Sequence, residues 1–393
     1  MNRRKQPRGA EFPTQARLAM RVLARNYVRR LFRQSPQLLL GAGKLALSSA
    51  GVGQAATDAR ATERVMRAAL DDALGRDWGA RVERPLWPEH PDQADHTGVL
   101  RVARSRRRYT NLRDQRYGDA ESSVLDLWRR PDLPSDARAP IVLQIPGGAW
   151  IMGNKRGQAY PLMNHLAERG WVCASMSYRL APAHPWPAHI VDVKLAIAWL
   201  RQHAHEFGGD PDFVVVTGGS AGGHLAALAA LSPNDPAFQP GFEQVDTAVA
   251  AAVPLYGRYD FFSREGEGRR EFMYFLERVV VQDWARRRPD VFKAASPIWR
   301  EADMPEAAPF LIVHGDRDSL IPVEQARAFA LKLRTHSRQA VAYAELPGAQ
   351  HAFDFIASRR TKDVCEAIGG FLGVVLGEHR ARRDHIAAAS EGV

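Results

Sequence analysis

From about residue 112 onward, short apolar runs alternate with longer amphipathic stretches. The short runs predict strands, because they are rich in Val, Ile and Leu and end at turn residues. The predicted strands are 124–128, 141–145, 172–178, 213–217, 248–255, 310–314 and 341–346, and the predicted helices are 160–169, 188–205, 221–230, 323–335 and 361–376. This alternation indicates an α/β fold with a mostly parallel central sheet and helices on both faces.

The amino-terminal region has a different pattern. Arginines recur every four residues at Arg17, Arg21, Arg25 and Arg29, while apolar side chains such as Leu23 lie on the opposite side. This spacing predicts a basic amphipathic helix. Such a helix suits an anionic membrane surface, and it equally suits packing on the protein body with a solvated arginine face.

The segment that follows is weakly apolar and is interrupted by Lys44, so it does not predict a membrane span. Residues 29–32 resemble the start of a twin-arginine export signal, an interpretation that the long basic region disfavours. Residues 61–74 predict another helix, and prolines at 85, 88 and 91 indicate a linker. We therefore divide the chain into a basic helical extension (1–100), a body (105–380) with a cap-like insertion (258–300), and a flexible tail (381–393).

Composition and charge sharpen this division. The chain has 393 residues, 45% of them hydrophobic, and a net charge of +10. Residues 1–33 hold ten Lys or Arg and one acid, a net of +9, so the remainder carries about +1. The two cysteines, Cys173 and Cys365, are too few for a disulfide framework or a multi-cysteine zinc site. The basic character therefore bears on location, and we expect a cell-envelope or membrane-peripheral protein, with a cytoplasmic one as the alternative.

A nucleophile motif follows the strand at 213–217. Residues 218–223 read G-G-S-A-G-G and lead into an Ala- and Leu-rich helix. This is G-x-S-x-G in the strand–turn–helix context that the motif requires. The turn lifts the Ser220 hydroxyl out of the sheet, and the helix amino terminus and the N–H of Ala221 favour a developing negative charge.

Two later strand ends supply a base and an acid. Asp318 and Asp316 follow one strand, and the spacing H-G-x-x-D-x-x-I-P favours Asp318. His351 directly follows the last strand, which gives the chain order Ser, Asp, His. A serine nucleophile needs a base, and that base needs an acid to fix its tautomer. His314 is interpreted as a structural histidine.

An early loop supplies candidate oxyanion donors. Residues 146–150 read P-G-G-A-W at the end of the strand at 141–145. Glycines allow backbone N–H groups to turn toward a reacting oxygen. We assign this role to Gly147 and Gly148, with Ala221 as their partner.

These residues resemble the α/β-hydrolase fold, and in particular the hormone-sensitive-lipase-like esterases. The resemblance rests on Y-R-L-A-P at 178–182 and on G-S-A-G-G at 219–223. P-G-G-A-W at 146–150, W-P-x-H-I-x-D-V-K at 186–194, P-N-D-P at 233–236 and F-L-E-R-V-V-V-Q at 275–282 are closer still to mycobacterial cell-envelope lipase/esterase proteins. The likeness covers about residues 105 to 378 and extends only loosely to the amino terminus.

The resemblance implies hydrolysis of carboxylic esters, with short- to medium-chain acyl groups, by Ser220, His351 and Asp318 through an acyl-enzyme. It implies neither a cofactor nor a metal. One departure is that most of the broad family has H-G-G-G at the oxyanion loop, where this chain has Pro146 and Ala149 at the outer positions. Four aromatic residues are candidates for an acyl pocket, with plain packing as the alternative: Trp150, Phe261, Phe262 and Phe275.

Two other functions stay open. A segment from Trp186 to Leu200 also resembles arylformamidases, so amide or formamide hydrolysis is the alternative reaction. A catalytically silent membrane-peripheral binding protein is the alternative of another class. We expect a small-molecule or lipid ester as substrate, and no nucleic acid, because the body lacks interleaved basic and aromatic residues of a recognised module.

Overall fold

Eight strands form one central sheet in this computed structural model, which describes residues 49–83, 108–263, 269–355 and 357–391. The strands follow the order β1-β2-β4-β3-β5-β6-β7-β8. β1 and β2 are antiparallel to their neighbours, and the others pair in parallel. Their bounds are β1 Thr110–Arg116, β2 Val124–Trp128, β3 Ala139–Ile145, β4 Val172–Met176, β5 Gly209–Gly219, β6 Ala251–Leu255, β7 Phe310–Gly315 and β8 Val341–Leu346. The predicted mostly parallel sheet is confirmed.

Helices connect these strands and cover both faces of the sheet. Their bounds are α1 Ser49–Leu74, α2 Tyr160–Glu168, α3 Ala188–His203, α4 Ala221–Ala230, α5 Arg269–Phe275, α6 Pro289–Ala294, α7 Glu324–His336 and α8 Arg359–Glu391. One π-helical turn, Leu276–Val280, continues α5. Short 3₁₀ helices occur at Trp78–Arg81, Ala204–Phe207, Pro236–Phe238, Pro297–Trp299 and Glu301–Glu306.

The central strands are apolar on both sides because both faces are buried. Val142 and Val215 point to one face, where they pack with residues of α1, α2 and α8. Ile141 and Val214 point to the other, where they pack with residues of α3, α4 and α7. Successive strand residues alternate between the two faces, so continuous apolar runs fill both cores.

Strand β1 was not predicted. Its sequence, T-N-L-R-D-Q-R, is polar and does not alternate, and its register with β2 is irregular. It lies at the edge of the sheet, where one side needs no strand partner and polar side chains reach water. Its strand conformation therefore depends on pairing with β2 rather than on its own pattern.

Helix α1 packs into the core of the body, although the sequence assigned it to a separate extension. Met66 and Leu70 are buried in the same core as β8 and α8. Asp72, near the carboxyl end of α1, pairs with Arg334, which also donates to the carbonyl of Val341 at the start of β8. The apolar stripe of α1 therefore belongs to the core. The basic helix, the export-like segment and the proline linker lie outside the described residues.

The carboxyl end of α1 lies near the start of β8, because Asp72 pairs with Arg334, which donates to the carbonyl of Val341. Burial and the charges of Glu366 and Glu63 raise the pKa of Asp363, near the amino end of α8, to about 6. The first turn of α8 adjoins the carboxyl end of β8, where Arg360 donates to the carbonyl of Pro347 at 2.8 Å.

The last helix is longer than predicted. We predicted an end near Leu376 and a flexible tail from 381, but α8 continues to Glu391. The residues after Gly377 include no Gly or Pro until Gly392, and Ala and Arg favour a helix. Arg380 pairs with Glu83 at 2.8 Å and Arg383 with Asp210 at 3.3 Å, so this part of α8 also contacts the body.

The described part of the predicted insertion at 258–300 contains short helices that are joined to the region that follows β4. The N–H of Trp186 donates to the carbonyl of Val280 at 2.8 Å, and the Gln282 amide donates to the carbonyl of Pro182 at 2.6 Å. These bonds attach the π-helical turn to the segment that precedes α3.

We expect Leu70→Ala to lower the free energy of unfolding by about 2–5 kcal/mol, because it leaves a cavity where α1 packs on the body. Leu70 is fully buried, whereas Arg67 on the same helix is exposed. Arg67→Ala is the matched control and should change the value by less than about 0.5 kcal/mol. Urea denaturation measures both. Equal stability of the Leu70 variant and the wild type would contradict the placement of α1 in the core.

Candidate active site

The nucleophile turn has the geometry that its sequence predicts. Ser220 lies between β5 and α4 with φ 59° and ψ −119°, a strained conformation for a residue with a side chain. A Cβ on Gly222 would collide with the carbonyl of Ile145, and one on Gly219 would collide with the Tyr256 hydroxyl. Glycine is therefore required on both sides of the serine.

Backbone hydrogen bonds hold Ser220 in this conformation. Its N–H donates to the carbonyl of Leu255 at 3.0 Å, and its carbonyl accepts from the N–H of His224 at 3.0 Å. Serine is a favoured helix N-cap, yet the Ser220 side chain makes no capping bond to α4. The hydroxyl is therefore not engaged by the helix that follows it.

His351 and Asp318 meet at the carboxyl edge of the sheet. His351 Nδ1 lies 2.7 Å from Asp318 Oδ2, and the Asp318 side chain is fully buried. The second oxygen, Oδ1, accepts from the N–H groups of Leu320 and Ile321 at 2.8 and 2.9 Å. These bonds hold the carboxylate beside the imidazole of His351.

The second histidine near Asp318 has a supporting position. His314 Nε2 lies 3.2 Å from Asp318 Oδ2 and 3.0 Å from the carbonyl of Ile321. Burial by itself raises the pKa of Asp318, but the charge of His351 and hydrogen bonds from both histidines outweigh it and hold the pKa below its usual range. Asp318 is therefore a carboxylate at neutral pH.

The other candidate acid does not contact His351. Asp316 accepts from the N–H of Gly348 at 2.7 Å, so it stabilises the turn after β8. The structure thus joins His351 to Asp318, the residue that the motif spacing favoured.

Sequence reasoning missed Tyr256, which follows β6. Its ring lies 4.7 Å from the His351 ring between centroids, and its hydroxyl donates to the buried carboxyl of Asp354. The same hydroxyl occupies the space beside Gly219. Tyr256 therefore contacts both the turn that carries Ser220 and the ring of His351. The available signal was its place at the end of the strand next to the nucleophile strand.

The loop at 146–150, which was predicted to hold oxyanion donors, lies directly against Ser220. A Cβ on Gly147 would lie 3.2 Å from Cβ of Ser220. The N–H of Gly147, however, donates to Gln158 Oε1 at 2.8 Å. Gly147, one of the two glycines that were predicted as donors, thus already donates its N–H to Gln158, which corrects its assignment. Gly148 follows it with φ 132°. Ala221 begins α4, directly after Ser220.

The four aromatic candidates for an acyl pocket do not form one surface. Trp150 and Phe261 are 2% and 0% exposed and lie 5.2 Å apart, packed with His224 in the core. Phe275 is 3% exposed, and half-buried Phe262 packs on Phe292. Their burial and mutual contacts favour packing, the alternative interpretation, for Trp150, Phe261 and Phe275.

This packing has a polar centre. Trp150 donates to His224 Nδ1 at 3.2 Å, and His224 Nε2 lies 2.6 Å from the carbonyl of Ala295. Burial lowers the pKa of His224 to about 4, so the ring is neutral and can accept and donate as required. The bonds connect the oxyanion loop, α4 and the insertion.

The Y-R-L-A-P segment is held by an ion pair with the next motif. The side chain of Arg179 donates to Asp192 Oδ1 at 2.6 and 2.8 Å, and its backbone N–H donates to Oδ2 at 2.7 Å. Asp192 is fully buried, so losing its partner would leave an uncompensated charge. The two motifs are therefore one structural unit.

A mostly parallel sheet with a strained serine after β5, an acid after β7 and a histidine after β8 defines the α/β-hydrolase class. Within that class the chain belongs to the BD-FAE family, whose model matches residues 125–333. It is 47% identical over 340 residues to "Probable carboxylic ester hydrolase LipM" of Mycobacterium tuberculosis, covering 86% of this chain and 78% of that protein. It is 46% identical over 352 residues to esterase LipQ of the same organism, covering 88% and 83%. The resemblance to mycobacterial esterases is confirmed.

Solved structures show the same fold. A truncated carbohydrate esterase from gut microbiota matches with a TM-score of 0.55 at 22% identity, covering 68% of this chain and 97% of that one. Butyrate-bound esterase 2 of Thermogutta terrifontis matches with a TM-score of 0.54 at 26% identity, covering 65% and 92%. The family and the fold make this chain an ester hydrolase, as predicted. Across the described residues, none of the helices combines the length and the apolar character needed to cross a membrane.

Proposed function

We propose that this chain is a serine carboxylesterase that acts through an acyl-enzyme, with Ser220 as nucleophile, His351 as base and Asp318 as the acid that orients His351. The observation that carries the proposal is the 2.7 Å contact between His351 Nδ1 and the buried Asp318 carboxylate, at the sheet edge that also bears Ser220. An imidazole bonded through Nδ1 to a carboxylate leaves Nε2 to take a proton from a serine hydroxyl.

The reaction proceeds in two halves. Ser220 Oγ attacks the ester carbonyl while His351 takes its proton, and His351 then returns that proton to the leaving alcohol. Water attacks the resulting acyl-enzyme with the same help from His351. Asp318 stays ionised and stabilises the imidazolium that forms in each half.

The N–H groups of Gly148 and Ala221 are the proposed oxyanion donors. Gly148 follows Gly147, which lies against Cβ of Ser220. Ala221 directly follows Ser220, the proposed nucleophile. A preorganised donor of this kind contributes about 10²–10³-fold to kcat. Neither donor is a side chain, so Pro146 and Ala149 in place of the usual family residues do not remove this function.

The proposed substrates are esters with short- to medium-chain acyl groups. Solved structures of the Thermogutta esterase 2 include propionate- and butyrate-bound forms, at 27% and 26% identity to this chain. The same enzyme was also solved phosphonylated by sarin, and such agents react with activated serines.

A substrate panel tests this proposal. We expect hydrolysis of p-nitrophenyl esters, fastest for short to medium acyl chains, and little turnover of matched anilides or of N-formylkynurenine. An organophosphonate should add to the peptide that carries Ser220, as detected by mass spectrometry. Faster turnover of the anilides or the formamide would favour the amidase alternative. No turnover together with no adduct would favour a silent binding protein.

We also propose that the basic segment at 17–33 binds an anionic membrane surface. The support is the positive charge of Arg17, Arg21, Arg25 and Arg29, which lie on one side of a predicted helix. Each basic residue near an anionic surface contributes about 1 kcal/mol of attraction.

Liposome sedimentation measures this association. Deleting residues 1–48 leaves α1 intact and should abolish binding to phosphatidylserine-containing vesicles, while ester hydrolysis of a soluble substrate continues. Neutral phosphatidylcholine vesicles are the control and should bind neither form. Equal binding of the truncated and full chains to the anionic vesicles would refute a membrane role for this segment.

A further inference from the structure

The side chain of Gln158 binds both backbone groups of Gly147. Its Oε1 accepts from the N–H of Gly147 at 2.8 Å, and its Nε2 donates to the carbonyl of Gly147 at 3.1 Å. Gln158 stands eleven positions further along the same loop and is half-buried. A single amide thus holds the peptide on each side of Gly147.

Holding the carbonyl of Gly147 also aims the N–H of Gly148. The two groups belong to one peptide unit, which is planar and trans, so they point in opposite directions. The Gln158 amide lies on the carbonyl side, and the N–H of Gly148 therefore points away from Gln158. Gly147 itself lies against the carbonyl of Gly219 and Cβ of Ser220.

Gly147 needs such a restraint because glycine has more backbone freedom than any other residue. A side chain at this position is excluded, since its Cβ would lie 2.5 Å from the carbonyl oxygen of Gly219. The nucleophile turn thus requires glycine, the residue with the most backbone freedom, at position 147, directly before the proposed donor Gly148. A hydrogen-bonding side chain from elsewhere in the loop supplies the missing restraint.

The loop that carries Gln158 is anchored to the sheet independently. Lys155 is buried, pairs with Asp126 and Asp114, and donates its backbone N–H to Ser177 Oγ at 3.1 Å. Ser175 Oγ donates to the carbonyl of Lys155 at 3.0 Å. Replacing Gln158 should therefore leave the loop in place and release the peptides around Gly147.

We propose that Gln158 is a positioning residue that aims the N–H of Gly148 at the oxyanion, and that by engaging the N–H of Gly147 it selects which glycine donates. The inference rests on the proposed serine mechanism. Gln158 does not touch the reacting atoms. It acts through the Gly147 backbone, so its effect belongs to the transition state rather than to substrate binding.

Gln158→Leu keeps the size of the side chain and removes both hydrogen bonds. We expect kcat for a p-nitrophenyl ester to fall about 10- to 100-fold, part of the loss expected for removing a donor entirely, while KM stays within about twofold. The rate of organophosphonate labelling of Ser220 should fall in parallel, because that adduct also places an oxygen in the oxyanion site. Gln339→Leu, at an exposed position without a side-chain hydrogen bond to the described residues, is the matched control and should leave both rates unchanged.

Gln158→Glu gives a readout that a purely structural role would not change. Above the usual glutamate pKa of about 4.3, one carboxylate oxygen still accepts from Gly147 N–H, but the other opposes the Gly147 carbonyl. Protonation restores a donor, so the ratio of variant to wild-type kcat should rise as pH falls toward about 4.5. Taking the ratio to the wild type at each pH removes the pH dependence that the two enzymes share. Circular dichroism confines the comparison to the pH range in which both are folded.

The outcomes separate this inference from the proposed function. An active wild type with unchanged kcat in the leucine variant, or a pH-independent ratio for the glutamate variant, overturns the role of Gln158 and leaves the triad intact. A wild type without ester hydrolysis or a Ser220 adduct overturns the proposed function instead. A fall in kcat at constant KM, with slower labelling and a pH-dependent ratio, supports the inference.

Discussion

Ser220→Ala should lower kcat for ester hydrolysis by about 10⁴- to 10⁶-fold, because the acyl-enzyme can no longer form. The residual rate comes from the oxyanion donors and from substrate binding, which the substitution leaves in place. Steady-state kinetics with a p-nitrophenyl ester measures the loss, and mass spectrometry should detect no organophosphonate adduct. The folded state should be unaffected, since alanine is smaller than serine and the hydroxyl makes no capping bond to α4.

Ser135→Ala is the matched control for this variant. Ser135 is exposed in the connection between β2 and β3, before the amino end of β3 and so opposite the catalytic edge. Its replacement should leave kcat and the thermal midpoint within error of the wild type. Substantial esterase activity in the Ser220 variant, with the control normal, would assign the reaction to another nucleophile.

Asp318→Asn should lower kcat by about 10³- to 10⁴-fold while the protein stays folded. The asparagine carbonyl can still accept from Leu320 and Ile321, as Oδ1 of the aspartate does. Its NH₂ group then faces His351 and forces the imidazole to accept through Nδ1. That tautomer carries its proton on Nε2 and cannot take one from Ser220.

Asp316→Asn separates the two candidate acids. Asp316 binds the N–H of Gly348 and does not contact His351, so its amide variant should keep kcat within about threefold of the wild type. Steady-state kinetics at neutral pH compares the pair. A larger loss from the Asp316 change than from the Asp318 change would reverse the assignment of the acid.

The three proposed catalytic residues could be located from the sequence because each follows a recognisable strand. Ser220 stands in a glycine-rich turn, and Asp318 and His351 stand in loops after β7 and β8. Parallel strands bring their carboxyl ends to one edge, so chain order and strand pattern were enough to place the three residues together. Strand β1 has no such pattern, because its seven residues are polar except for Leu112. Its pairing with β2 could therefore not be predicted.

The hydrogen bonds around these residues were not predictable in the same way. Tyr256 looked like the end of an apolar strand, and Gln158 looked like a polar loop residue. Their partners, Asp354 and the Gly147 backbone, depend on how loops approach one another in three dimensions. A polar residue in a loop has many possible partners along the chain, and its sequence neighbours do not distinguish among them.

The sequence by itself determined the alternation of strands and helices, the strained serine turn and the order of nucleophile, acid and base, because these depend on local propensities and on spacing along the chain. Only the tertiary structure decided that Gly147 is engaged by Gln158, that Trp150 and Phe261 are core residues, and that α1 packs into the core of the body. Each of these depends on side chains that are distant in sequence filling the same space. Burial and hydrogen-bond pairing are properties of the packed chain. A sequence pattern therefore allows several arrangements, and the tertiary structure determines which of them occurs.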